Sequence, residues 1–305
     1  MHQIRQIGIV GTGVMGAGIA RVLASAGYAV NIVKWTEGSA LDACARFEQS
    51  VMKDVERGKL ASEDAVRMLK RLVWSDAQAH DLGRCELVIE AIVEDEEEKA
   101  KCYAAIEPAL MQSAILATVT SSLSVEALAK MTARPRLFLG LHFFNPPGVM
   151  KLVELVTTEV LDPACVLWMR SLLGEIGKET VEVRDAPGFV VNRLMMAQFL
   201  EAIRMVFGND PVADIAGVDA CMRFGANHRM GPFELMDFIG LDVVLAMAEN
   251  LLEGFRQQHF SPPIILENMV AAGWKGRKSG IGFYDYSDRN QPRPHMHLAV
   301  VAHGR

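Results

Sequence analysis

Three segments of the 305-residue chain place polar side chains where an apolar strand should exclude them. His142 stands among apolar neighbours in Gly140-Leu141-His142-Phe143-Phe144-Asn145-Pro146-Pro147, and Glu154 interrupts the run Lys151-Leu152-Val153-Glu154-Leu155-Val156. Thr118, Thr120, Ser121, Ser122 and Ser124 crowd the end of, and the stretch after, the apolar run Ile115–Val119. A buried carboxylate without a partner is very costly, so Glu154 needs one. His142, twelve residues earlier at the end of a neighbouring strand, is the reasonable candidate. A carboxylate there would fix the imidazole tautomer and favour its protonated form, which suits a general acid/base. A single His on an apolar strand is more often a satisfied core residue. The inward Glu shifts the reading towards proton transfer.

The run Gly11-Thr12-Gly13-Val14-Met15-Gly16 has the spacing GxGxxG. It follows the strand-like Gln6–Val10 and opens a helical pattern, the context in which such a loop binds a dinucleotide. Gly11 permits the tight turn, Gly13 lets the backbone approach the pyrophosphate, and Gly16 lets helix and strand pack closely. Met15 lies at the helix start, whose free N–H groups face the phosphates. About 20 residues further on, an NAD site usually carries Asp or Glu for the ribose hydroxyls. Here Ile32-Val33-Lys34-Trp35-Thr36 puts a cation in that place. Lys34 could pair with the 2′-phosphate of NADP, or point to solvent while NAD binds with one contact fewer. NAD and NADP both stay open. Thr36 could add a hydroxyl contact, and Trp35 could stack on adenine. Glu94 and Lys99 follow another strand-like run, Leu87–Ile92, and are candidates for the cofactor ribose because carboxyl ends of such strands line the ligand crevice.

The scaffold that must position these groups is legible as alternation. Strand-like runs at Gln6–Val10, Ala29–Val33, Leu87–Ile92, Ile115–Val119, Leu137–Leu141, Leu152–Val156 and Thr180–Val183 are separated by helical patterns at Ala17–Ala26, Ala40–Arg57, Ser62–Arg71, Glu97–Gln112 and Ser124–Met131. Such alternation predicts an α/β fold, a Rossmann-type, mostly parallel sheet covered on both faces. After Gly188 the strands almost vanish, and Phe189–Phe207, Val212–Phe224, Gly231–Gly254 and Pro263–Ala272 read as helices. The expected division is a dinucleotide domain at 1–185, an all-helical substrate and dimerisation domain at 186–286, and a tail at 287–305 with little fixed structure.

Composition narrows the function classes. A net charge of −6 argues against a dedicated nucleic-acid binder. The five cysteines have no CxxC spacing, so neither a disulfide framework nor a metal site is expected. No apolar stretch reaches the ~18 residues of a membrane span, and the first residues lack the pattern of a secretion signal. A cytoplasmic protein without a membrane partner is the expectation.

The segments HFFNPPGVMKLVELV (142–156), SSL (121–123), DAPGFVVNRL (185–194), MGPFELMDFIGLD (230–242) and GRKSGIGFYDY (276–286) together resemble the L-3-hydroxyacyl-CoA dehydrogenase family, in its order and over residues 4–286. The resemblance implies hydride transfer between a nicotinamide dinucleotide and C3 of a 3-hydroxyacyl thioester, carried on CoA or an acyl carrier protein. It implies that His142 is the general acid/base, that Glu154 orients it, and that Ser121 and Asn192 bind the substrate oxygen. It further implies that Asn145 shapes the nicotinamide pocket, that Ser50 and Arg57 lie near the CoA surface, and that the chain forms a homodimer. A basic patch around Arg57 and Lys59 would favour a phosphorylated carrier. Three departures flank this core: Lys34, Val119 where the family usually has Asn, and the bulky Asn227-His228-Arg229. A dehydrogenase of a small free hydroxy acid, like the gulonate dehydrogenases on this scaffold, is the enzymatic alternative. A non-catalytic dinucleotide binder, as among lens crystallins, is the other; intact Ser121, His142, Glu154 and Asn192 weigh against it.

Overall fold

The computed structural model describes residues 6–76, 79–209, 211–288 and 291–295. The chain divides after Phe189 into two compact units, four residues beyond the expected boundary. The first unit runs β1 (Gln6–Val10), α1 (Val14–Ser25), β2 (Ala29–Lys34), α2 (Ala40–Glu56), α3 (Ser62–Leu69), β3 (Leu72–Asp76), β4 (Leu87–Glu90), α4 (Glu96–Ile106), β5 (Ile115–Thr118), α5 (Val125–Lys130), β6 (Phe138–Phe143), β7 (Leu152–Thr157), α6 (Pro163–Glu175) and β8 (Glu179–Arg184). Its eight strands form one sheet in the order β3-β2-β1-β4-β5-β6-β7-β8. Strands β4 and β5 are buried along their whole length. Continuous apolar runs of this kind are what a parallel sheet sandwiched between helices requires.

Within this sheet all strand pairs are parallel except β6–β7. The connection between those two is residues 144–151, too short for a crossover helix, so the chain reverses instead. The reversal sets His142 directly opposite Glu154 in the ladder.

Two elements lay outside the sequence expectation. Strand β3 is an edge of the sheet and has no fully buried position, its residues being half-buried or exposed, so it lacks a strong apolar signature. Helix α6 did carry start signals: Pro163 stands at its first turn and the Asp162 carboxylate accepts from the Ala164 N–H at 2.9 Å.

The second unit contains α7 (Val191–Phe207), α8 (Ile215–Gly225), α9 (Pro232–Ile239), α10 (Leu241–Phe255) and α11 (Ile264–Ala271) around one apolar core. The single helix expected over Gly231–Gly254 is two, because Gly240 adopts φ +108° and turns the chain between them. Two fully buried carboxylates organise this unit. Asp219 accepts from the N–H groups of Phe233 and Glu234 at the start of α9 and from the Tyr284 hydroxyl. Asp237 accepts from the N–H groups of Phe283 and Tyr284 and from the Tyr286 hydroxyl. The expected tail is partly structured: β9 (Tyr284–Asp285) pairs antiparallel with β10 (Arg293–Pro294), and residues 289–290 and 296–305 lie outside the described ones. Among the described residues, no helix is long and apolar enough to cross a membrane.

Burial pushes the Asp237 carboxyl up to about 6, even against its three donors. Between pH 4 and 6 the native group therefore keeps a proton that the unfolded chain releases near about 3.9. Its stabilising contribution is present below pH 4 and lost as pH rises through about 6. Urea titrations should show wild type losing up to about 1.4 kcal/mol per pH unit relative to Asp237→Asn across that window. A pH-independent difference would refute the shift.

Candidate active site

The carboxyl edge of the sheet carries a groove of about 620 Å³, lined by the Gly11–Met15 loop, by residues 34–39 with Asp42 and Arg46, and by Ala91–Val93. It lies over β2, β1 and β4, where the strand order reverses direction from β1, and such switch points are where ligands enter open α/β sheets. The backbone fits a dinucleotide. Gly11 sits at φ +113°, and a Cβ there would come within 2.3 Å of the Ala91 carbonyl oxygen. A Cβ on Gly16 would lie 2.2 Å from the Gly11 carbonyl oxygen. Gly13 has nothing within 4 Å of that position, which leaves room for a phosphate against the start of α1.

At the end of β2, the structure answers how Lys34 is placed, and differs from the solvent-facing expectation. The side chain is only 6% exposed, so it does not point to solvent. Its Nζ donates to Thr36 O at 2.8 Å, Thr36 Oγ1 at 2.8 Å and Glu37 O at 2.5 Å. An ammonium has three protons, and all three are committed to this loop. No carboxylate lies within ion-pair distance of Lys34 among the described residues. The Lys34 head group is therefore held in the groove wall by neutral oxygens of its own loop. Arg46, on α2, adds a second cation from the exposed side, while Glu37 and Asp42 add carboxylates to the same lining.

The expected ribose contacts Glu94 and Lys99 belong to a polar network. Lys99 is fully buried and donates to Glu90 Oε1 at 2.6 Å, with Glu94 Oε2 at 3.7 Å. Lys99 thus lies behind Glu94 as seen from the sheet edge. Glu90 also accepts from Tyr103, Thr118 and the Ile92 N–H. Glu94 Oε1 accepts from the Thr120 hydroxyl, the Ser121 and Ser122 N–H groups and the Ser122 hydroxyl at 2.7–3.0 Å. Burial alone would push the Glu94 carboxyl up, but Lys99 and these donors outweigh it and hold it below the usual carboxylate range.

Further along the edge, His142 Nδ1 lies 2.6 Å from Glu154 Oε2, with the two side chains 4% and 1% exposed. With the carboxylate on Nδ1, Nε2 is left as the nitrogen that can exchange a proton with a ligand. The rings of Phe144 and Phe189 pack against the imidazole at centroid distances of 4.6 and 5.2 Å. Phe189 takes φ +47°, an uncommon conformation for a bulky residue, to place its ring there. After β6 the Asn145–Pro146 peptide is cis, and Asn145 is exposed. Lys178 closes this loop by donating to the carbonyls of Pro147 and Met150.

The sheet thus brings Ser121, after β5, and His142, at the end of β6, to the same edge as the glycine loop. Three strand spacings separate β1 from β6, about 14 Å. Asn192 is buried in the first turn of α7, in the second unit. Ser50, on α2, and Arg57, which caps its C-terminus, are exposed and outside the groove lining, with Lys53 and Lys59 exposed nearby. Val119 is nearly buried and offers no side-chain donor or acceptor. Among described residues, no group of three or more His, Cys, Asp or Glu could hold a metal. Sequence reasoning had not singled out Arg46, Phe189, Lys178 or the hub role of Glu90. Only Glu90 carried a usable signal, since it is, like Glu154, a carboxylate inside an apolar strand.

Comparison with known proteins meets this geometry from the other side. Residues 6–186 match the 3-hydroxyacyl-CoA dehydrogenase NAD binding domain, and residues 188–286 match the C-terminal domain of the same family. The chain is 38% identical over 283 residues to a 3-hydroxybutyryl-CoA dehydrogenase of Bradyrhizobium diazoefficiens, covering 93% of this chain and 96% of that one. It is 39% identical over 285 residues to a Mycobacterium tuberculosis protein of the same name, covering 93% and 99%. The crystal structure of (S)-3-hydroxybutyryl-CoA dehydrogenase PaaH1 from Ralstonia eutropha superposes with a TM-score of 0.88 at 36% identity, covering 94% of this chain and all of that one. An eight-stranded dinucleotide sheet, a His–Glu pair at its edge and two matching domains make this chain an oxidoreductase of the 3-hydroxyacyl-CoA dehydrogenase family.

Proposed function

We propose that the protein interconverts a 3-hydroxyacyl thioester and its 3-keto form, with His142 moving the proton at the C3 oxygen. The observation that carries this reading is the buried 2.6 Å contact between His142 Nδ1 and Glu154 Oε2. Bound nicotinamide dinucleotide supplies the hydride chemistry. In the oxidative direction His142 Nε2 takes the proton of the 3-hydroxyl; in the reductive direction it returns a proton to the ketone oxygen. Glu154 holds the ring in the tautomer that leaves Nε2 free. The Phe144 and Phe189 rings packed against the imidazole keep water from the part of it they cover. Ser121 is the group we assign to the C3 oxygen, which it orients for transfer. CoA is the carrier we favour over an acyl carrier protein, because relatives covered nearly end to end are named for CoA thioesters. The exposed Lys53, Arg57 and Lys59 offer its phosphates a local basic surface despite the net negative charge. Free thiols at all five cysteines suit a reducing cytoplasm.

For the cofactor, the matched family model is an NAD binding domain, and departures in the groove support a 2′-phosphate as a further ligand. No carboxylate stands at position 34 to accept ribose hydroxyls, and among the described residues no carboxylate forms an ion pair with the buried Lys34. Lys34 acts through its field rather than by direct donation, and Arg46 supplies the direct contact. A homodimer through the second unit is supported by large apolar side chains left exposed there, among them Leu194 at 67%, Phe224 at 86% and Ile264 at 59%.

Three measurements test these readings. His142→Gln should lower kcat for acetoacetyl-CoA reduction by roughly 10²–10⁴ while leaving dinucleotide Kd unchanged; turnover at the parent rate would exclude the mechanism. In fluorescence titrations NADPH should bind at least as tightly as NADH, and Arg46→Ala should weaken NADPH alone by roughly tenfold. Tighter binding of NADH would reject the phosphate reading. Sedimentation equilibrium at micromolar concentration should give twice the chain mass, and a monomer would dismiss the dimer.

A further inference from the structure

Glu94 lies four residues beyond the end of β4, and its carboxylate binds the turn after β5, while the groove lining stops at Val93. One oxygen, Oε1, gathers four donors from three consecutive residues: the hydroxyls of Thr120 and Ser122 and the N–H groups of Ser121 and Ser122. The Thr120 hydroxyl in turn accepts from the Leu123 N–H at 2.9 Å, which closes the turn on itself. Within this cluster the Ser121 side chain is left exposed at the sheet edge while its backbone is fixed. Behind Glu94, the ammonium of Lys99 stands between Glu94 Oε2 at 3.7 Å and Glu90 Oε1 at 2.6 Å. The carboxylate is therefore anchored from the core and clamps the turn from outside it.

We infer that Glu94 is a positioning residue for Ser121, holding its hydroxyl where the C3 oxygen of the substrate is bound. The inference rests on the assignment of Ser121 to that oxygen. A hydroxyl that must meet an oxygen within a few tenths of an ångström is useful only on a backbone that does not wander. The three residues 120–122 lie outside any helix or strand, so the sheet ladder does not fix them. Charge-assisted hydrogen bonds are roughly twice as strong as neutral ones, and here two of them go to backbone N–H groups flanking the Ser121 side chain. The carboxylate does for this turn what a strand partner does for a strand. A contact with the cofactor ribose would make a different demand on Glu94, since its loss would first weaken dinucleotide binding.

A double-mutant cycle on the full chain separates these roles. Glu94→Ala should lower kcat/KM for acetoacetyl-CoA about as much as Ser121→Ala, roughly tenfold or more, with dinucleotide Kd within about twofold. Retained dinucleotide affinity also certifies that the variant is folded. Combining the two substitutions should cost no more than about threefold beyond Ser121→Ala alone, because the hydroxyl being positioned is already gone. Glu94→Gln, which keeps an acceptor oxygen for the turn, should recover most of the loss. Factors that multiply in the double variant, or a loss in Glu94→Ala that follows weakened dinucleotide binding, would overturn the role of Glu94 alone. A parental rate in Ser121→Ala would overturn the assignment of Ser121 and this inference with it.

Discussion

A carboxylate taken out of water has to be given donors, and in this protein that requirement ties distant segments of chain together. Glu90, Glu154, Asp219 and Asp237 are each at most 1% exposed. Glu90 joins β4 to α4 and β5 through Lys99, Tyr103 and Thr118. Glu154 joins β7 to β6 through His142. Asp219 and Asp237 fasten α8 and α9 to the segment around Tyr284. Removing the partner from any one of them would leave a buried charge, a penalty of several kcal/mol. Buried pairs of this sort seldom add much net stability. Here they fix which strand end meets which turn, and the chemistry depends on that registry.

The sheet topology converts registry into a row of functions. Parallel strands all end on one edge, so the glycine loop after β1, the Glu94 turn between β4 and β5, and His142 on β6 stand side by side. The one antiparallel step, β6–β7, brings Glu154 in from the opposite direction. A second parallel crossover there would have put the start of β7 at the far edge, and Glu154 would face other partners. The break in the parallel pattern is thus what completes the His–Glu pair.

Much of this was legible in the sequence, for physical reasons that differ by element. Buried parallel strands such as β4 and β5 announce themselves because both faces must be apolar. Edge strand β3 does not, because half its side chains meet water. Glu154 betrayed His142 because a carboxylate in an apolar strand demands a donor. Lys34 was legible as a departure but not in its effect. Nothing in Lys-Trp-Thr-Glu says that the ammonium folds back on the carbonyls of its own loop. The placement of Glu94 was similarly hidden, since its four donors lie 26–28 residues away across the sheet. Contacts of that kind depend on which loops the topology makes neighbours, and local pattern does not carry that information.

The three glycines of the dinucleotide loop have a consequence for how this site can change over time. Gly11 and Gly16 are excluded from bearing a side chain by the protein's own carbonyl oxygens, so folding itself polices them. Gly13 meets nothing within 4 Å, and a methyl group there would compete for volume only with a ligand. A lineage that abandoned catalysis would be free to drift at Gly13 while Gly11 and Gly16 stayed locked. One motif therefore contains two clocks, one set by the fold and the other by the ligand.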